Sequence, residues 1–424
     1  MKIYLALTYG LLLALTFLPV RELYRNIPDD NSYFFRNNQI GGGDFIAFYL
    51  AGKMFEQNRA NLYNLAEQQQ FRTKTLGVLT QQLGGELPFV YPAPVALFAS
   101  VFSRAPFWTA YFLWMLFGFS VSVAALAALV HGLSLMRSAP WPLLISAVTG
   151  FIPFSLNAVM GGQVVTFGIV ILSTTFLALR RGSFFLAGML FSLSYYKPPL
   201  FVLLLIILLF SCPLKFSLGF ACGATLLLCL SLLLIGWSGL LSYLSAISGY
   251  VYGREVLPGV TLPPGQGAGV FAVMVQLVSN PGVAGVLLLS ICVAIIIWLR
   301  TLVPKSFSGP QFSLWFAAAS SASIGLSIQC IRYDIALMLV PFFLVLSCAQ
   351  LFSRRDKLVL SSIVSLFYFE FLLRDIEILG GKYQISSVLF VLFALQLFKL
   401  LSNSRQAQLS TLPTDPCPQI RAVV

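Results

Sequence analysis

Charge is the scarcest property of this 424-residue sequence. Only 9% of its residues are Asp, Glu, Lys or Arg, while 58% are hydrophobic and the mean hydropathy is +0.88. A soluble globular chain carries about 25% charged residues, so a soluble fold is excluded and an all-α polytopic membrane protein is expected. Histidine is nearly missing: His131, the single one, ends an apolar run and reads as an interfacial residue rather than a ligand. Acids are sparse as well. Between Leu87 and Tyr333 the sole carboxylate is Glu255, which leaves acid–base chemistry few residues to draw on. Six of the seven cysteines lie in or beside apolar segments, Cys417 lies in the polar tail, and there is no CxxC. Neither a disulfide framework nor a zinc site is indicated. GxSxG, HExxH, Walker and Rossmann patterns are also lacking, so a nucleotide-using soluble site has no support. The formal net charge of +12 does not imply nucleic acid. Lys and Arg fall mainly between apolar runs, where they set orientation and meet the anionic headgroups of membrane lipids.

What the sequence does contain is a succession of apolar segments. Met1–Val20 has the pattern of an uncleaved signal anchor. A long polar interval over 21–106 follows, then spanning candidates at Phe107–Val130, Trp141–Val159, Val164–Leu179, Phe184–Phe210 and Phe216–Ile235. Further candidates are Val283–Leu299, Phe312–Ile328, Ile335–Phe352, Leu358–Leu372 and Ser386–Leu400. Phe184–Phe210 is either one kinked span or two short helices hinged at Tyr196-Lys197-Pro198-Pro199. The positive-inside rule selects the hairpin. Only then do Arg137, Arg180, Arg181, Lys215, Arg300, Lys305, Arg354, Arg355 and Lys357 share the cytoplasmic side. About 12 apolar helices result, with both termini inside. They form one integral domain over 1–403, followed by a polar cytoplasmic tail over 404–424. The outward face then collects Asp44, Gln163, Lys197, Arg254, Glu255, Arg332 and Asp334.

The polar interval is densest in signals between Gly41 and Pro94. Three glycines precede Asp44, and the spacing of Phe45, Phe48, Tyr49 and Phe55 predicts an amphipathic helix. Its aromatic face is expected to lie on the membrane–water interface, with a second such helix over Leu65–Thr75. Asp44 is either a helix N-cap or a catalytic carboxylate that the glycines let a ligand approach, and the two are compatible. Lys197, at a proline break deep in apolar sequence, either snorkels or serves a function. Arg332 and Asp334 either pair with each other, or Arg332 receives a phosphate while Asp334 orients it. Arg254 and Glu255 read as a solvated pair, and Met160-Gly161-Gly162-Gln163 as a tight turn offering an amide. One outward carboxylate, several outward cations and a large apolar body suit an amphiphilic phosphate-bearing substrate.

The pattern D-F-x-x-F-Y-x-A-G, then L-Y, then Y-P-x-P resembles glycosyltransferase family 87. It is carried by Asp44, Phe45, Phe48, Tyr49, Ala51, Gly52, Leu62, Tyr63, Tyr91, Pro92 and Pro94. Gly162-Gln163 and Lys197-Pro198 match the family's G-Q turn and K-P break, and Ala93 stands where the family usually has proline. The resemblance implies a C-type membrane glycosyltransferase that takes a sugar, mostly mannose, from a polyprenyl-phosphate donor. It implies a bacterial cytoplasmic membrane, an outward-facing site and Asp44 as catalytic base. Lys197 and Arg332 are then expected at the donor phosphate, with Tyr49, Tyr91, Gln163, Tyr333 and Asp334 positioning substrate. The acceptor would be an envelope lipid, glycan or protein. No cofactor is implied, and a single carboxylate with cations does not require a divalent metal. Two other functions fit the composition. A transporter or flippase of a lipid-linked sugar predicts charge on both sides of a midplane site. A non-catalytic partner of an envelope complex predicts that Asp44 and Lys197 are dispensable.

Overall fold

Backbone polar groups in lipid must be satisfied within the chain, and sequence this apolar accordingly folds into helices. The computed structural model describes residues 2–25, 33, 41–76, 88–133, 141–251, 267–372, 376–378 and 381–410. Nearly all are helical, from α1 (Lys2–Arg25) to α16 (Ile385–Ser410); the exception to the all-α expectation is a two-stranded hairpin, β1 (Ile376–Ile378) with β2 (Gly381–Tyr383). Among the described residues four helices are long and apolar enough to cross a membrane. They are α5 (Phe107–Gly132), α10 (Leu214–Val251) over Leu214–Ser248, α12 (Pro281–Thr301) and α16 over Ile385–Ser404.

The other apolar segments are shorter than the expected set of about 12 spans, and the sequence itself breaks them. Trp141–Val159 divides at Gly150 and Pro153 into α6 (Trp141–Thr149) and a π-helix (Pro153–Met160). Phe184–Phe210 divides at Lys197 into α8 (Phe184–Ser192) with one 3₁₀ turn, and α9 (Pro198–Ser211). Gly219 of α10 approaches Phe185, Gly223 approaches Ser192, and Ser231 Oγ bonds the Tyr195 hydroxyl at 2.9 Å. Helices α8 and α10 therefore run parallel, and α9 between them runs back. Prolines in the first turn start a helix but cannot continue one, and the residue before a proline is pushed out of helical geometry. Lys197 obeys, with φ −147° and ψ 70°. Ser323 of α13 (Pro310–Gly325) braces the new helix, donating to Leu200 O at 2.7 Å and accepting from Leu204 N at 3.1 Å. Helix α13 is apolar or small all round and is buried along its whole length, as such a helix must be.

The first loop is folded onto this bundle rather than spread on its surface. In α2 (Phe45–Asn58) nine of fourteen residues are buried. Gly52 lies so close to α4 (Ala93–Ser103) that a Cβ there would stand 2.7 Å from Ser103 Oγ. The aromatic face expected on lipid is thus turned onto protein, because α4 and α5 offer it a closer partner. Helix α3 (Leu65–Leu76) follows at the expected place. At about 1.5 Å per residue α10 outruns a hydrocarbon core of about 30 Å. Beyond its kink at Gly236 (φ 68°) it packs Tyr243 against Tyr63 of the first loop, ring centroids 5.1 Å apart and tilted by 57°. Helix α7 (Val165–Arg180) separates Gln163 from Arg180, and α9 separates Lys197 from Lys215. Basic residues therefore sit at the end of the bundle opposite Gln163 and Lys197.

Candidate active site

Two glycine turns, packed backbone to backbone, found the site. Gly42, Gly43 and Gly162 all have positive φ (75°, 52° and 68°), a region open to glycine at little cost. Asp44 N–H donates to Gly161 O at 2.9 Å. A Cβ on Gly43 would stand 3.0 Å from that same oxygen, and one on Gly162 would strike Phe45. Here the glycines admit unusual backbone angles and the close approach of the chain itself. Helix α5 fixes the second turn: Tyr111 Oη donates to Met160 O at 2.6 Å and Trp114 Nε1 to Gly162 O at 3.0 Å. The π-helix delivers this turn through bonds five residues long, Gly161 N to Leu156 O and Gln163 N to Ala158 O. Such bulges recur at functional sites.

Asp44 occupies the N-cap position of α2, but its side chain makes no capping bond. The half-buried carboxylate instead lines a cavity of about 240 Å³. Burial raises its pKa from 3.8 to about 6; Lys197 opposes the rise and Asp334 adds to it. Ala47 and Phe48 flank it, residues 88–91 form one wall, and Gln163 and Tyr196–Pro199 form another. Ile247, Gln329, Ile331 and Tyr333 complete the lining.

Five of the expected site residues thus meet in one cavity: Asp44, Tyr91, Gln163, Lys197 and Tyr333. Gln163 is buried, and its Oε1 has no hydrogen-bond partner within the described protein. Lys197 Nζ donates to Asp334 Oδ1 at 2.7 Å and Oδ2 at 2.6 Å, and lies 4.6 Å from the centre of the Tyr333 ring. Asp334 sits behind it, fully buried, with Ile331 N–H donating to Oδ2 at 2.8 Å. Expected to position substrate, Asp334 does not line the cavity and instead braces Lys197 from behind.

Two further expectations are corrected. Tyr49 does not reach the cavity: it is buried against Phe45 and Phe107, and its hydroxyl donates to Ala105 O at 3.1 Å. Arg332 pairs with neither Asp334 nor the cavity; its Nε lies 3.6 Å from Oε1 of the fully buried Glu370. Residues 332–338 form a 3₁₀ turn, where successive side chains diverge by about 120°, so Arg332 and Asp334 face apart. Arg137, Arg254 and Glu255 lie outside the described residues. Sequence reasoning passed over Glu370, although a carboxylate within FYFEFLL was itself a signal. It also passed over Ile247 and Gln329, which carry none. Among the described residues no group of three or more His, Cys, Asp or Glu side chains gathers as metal ligands.

The fold and the cavity define a helical membrane protein with a polar site at one end of its bundle, where a protonatable carboxylate faces a buried ammonium. The chain belongs to glycosyltransferase family 87, whose model matches residues 89–326, more than half of its length. It is a membrane glycosyltransferase acting between a sugar donor and an acceptor. The match takes in Tyr91, Gln163 and Lys197, while Asp44 and Arg332–Asp334 lie outside it. No curated protein and no solved structure matches the chain.

Proposed function

We propose that this protein transfers a sugar, mannose in the first instance, from a polyprenyl-phosphate donor to an envelope acceptor, with inversion at the anomeric carbon. The observation that carries the reading is the uncapped Asp44 carboxylate, facing the same cavity as Lys197. As the acceptor oxygen bonds to the anomeric carbon, the carbon–oxygen bond to the phosphate breaks. Asp44 takes the hydroxyl proton, and the phosphate leaves with one more negative charge. Lys197 is the cation on the cavity wall that would meet that charge. Its ion-pair partner Asp334 holds it in place meanwhile. Tyr91, Gln163 and Tyr333 would orient the reactants. The basic residues at the other end of the bundle support an outward-facing site in a bacterial cytoplasmic membrane through the positive-inside rule. The charged groups of the cavity lie at one end of the bundle rather than about a midplane, which speaks against a flippase.

The test is Asp44→Asn in purified enzyme supplied with polyprenyl-phosphate mannose. General-base assistance is worth about 10²–10⁴-fold, so a loss of that size is expected with the fold retained. Near-normal transfer would remove Asp44 from the chemistry.

A further inference from the structure

Away from the catalytic cavity, a groove of about 660 Å³ runs between α12, α13 and α16. Its floor is made of small residues, Ala294, Ala322 and Ala394 among them, and its walls of Trp298, Phe390 and Phe398. From Phe390 to Ser402 it follows α16 for about 18 Å, the reach of one acyl chain. It shares no lining residue with the catalytic cavity.

The two ends of the groove differ. At the catalytic end, Ala268 N–H bonds Cys330 O at 2.7 Å. Ser386 and Ser387 there donate to Ala268 O, both at 3.0 Å. A Cβ on Gly269 would stand 2.9 Å from Gly325 O. These contacts plug the groove between Gly325 and the Gln329–Ile331 wall of the cavity. The other end is open and cationic. Lys399 lines it, and its bond to Asp356 sets beside it the first turn of α15 (Arg354–Tyr368), where Arg354, Arg355 and Lys357 are exposed. The acid on that turn, Asp356, is already bonded by Ser353, Gln396 and Lys399. Basic pockets between helices suit anionic lipid headgroups.

We propose that this groove holds one acyl chain of an anionic phospholipid whose phosphate rests at Lys399 and the basic first turn of α15. The plugged end argues against the tail of a substrate anchored at Lys197, and the proposal stands whether or not Asp44 is the base. The test uses purified full-length protein in detergent, offered phosphatidylglycerol, phosphatidylcholine or polyprenyl phosphate, with retained lipid read by native mass spectrometry. One phosphatidylglycerol per chain is expected, held at least about tenfold more tightly than phosphatidylcholine. Arg355→Gln/Lys357→Gln/Lys399→Gln should abolish that preference, with Ser353 and Gln396 still satisfying Asp356. Ala394→Trp should block retention of either phospholipid while leaving sugar transfer intact. Equal retention of phosphatidylcholine would show that no headgroup is read and overturn the proposal. So would displacement of phosphatidylglycerol by polyprenyl phosphate together with a raised donor KM in Ala394→Trp. If Ala394→Trp does not fold, the exposed charge variants still decide.

Discussion

Two buried carboxylates are paired from a single turn of chain, and only one pair belongs to the site. Asp334 receives two hydrogen bonds from Lys197 at 2.6–2.7 Å, and Lys197 lines the cavity. Two residues earlier, Arg332 reaches Glu370 at 3.6 Å on the other side of the same turn. The first pair holds a cation at the cavity wall, and the second ties the turn to the segment after α15. Taking ions into an apolar interior is costly, and such pairs are weak evidence of stability by themselves. A pair that leaves one partner facing a polar cavity, however, has a use that compensates its cost. The difference is one of geometry, not of composition, since each pair is one acid with one base.

The strongest way to break this comparison is Lys197→Met. It leaves Asp334 buried without its counter-ion, which costs about 3–5 kcal/mol. Transfer should fall by about 10²–10³-fold as well. Lys197→Met/Asp334→Leu should recover thermal stability without recovering transfer; recovery of both would make the lysine purely structural. Gly162→Ala comes next. It forces a side chain to positive φ, a strain of about 1–3 kcal/mol, and drives a methyl into Phe45. Because that contact joins the turns that carry Gln163 and Asp44 to the cavity, transfer should drop more than melting temperature does. Arg332→Gln should be mildest in activity, lowering stability while kcat stays well above that of Lys197→Met. Should Arg332→Gln instead match Lys197→Met in lost activity with unchanged melting, the phosphate role expected from sequence returns.

The parts of the molecule legible in sequence are those where one residue type allows a single local outcome. Lys197 before two prolines had to break a helix, and Asp44 after three glycines had to follow a turn. Tyr91, Gln163 and Tyr333 came with them because the polar loops must gather at helix ends. Tyr49 misled because an aromatic on an amphipathic face looks the same whether it meets lipid, ligand or α5. Arg332 misled for a related reason: adjacency in CIRYD says nothing about which way a 3₁₀ turn throws its side chains. Of the 12 or so spans expected, four helices among the described residues are long and apolar enough to cross a membrane, and shorter apolar helices such as α7 and α9 accompany them. Ile247 could not be read at all, since its place depends on how far α10 continues past Gly236.

The finest test of the comparison is the pH dependence of the base. Burial raises Asp44 from 3.8 to about 6, with Lys197 pulling it down and Asp334 pushing it up. A base acts in its ionised form, so kcat/KM should climb through pH of about 6 and level off above it. For stability the sign is opposite. The folded site prefers the neutral acid, so its contribution is complete below pH 3.8 and is lost as the pH rises through about 6. Activity should therefore rise over the interval in which the melting temperature declines. Removing the lysine takes away the opposing charge, and residual activity of Lys197→Met should show its midpoint at higher pH than the parent enzyme. Arg332→Gln, whose guanidinium faces Glu370 rather than the cavity, should leave the midpoint where it was. A midpoint that moves with Arg332 and not with Lys197 would reverse the assignment of the two pairs.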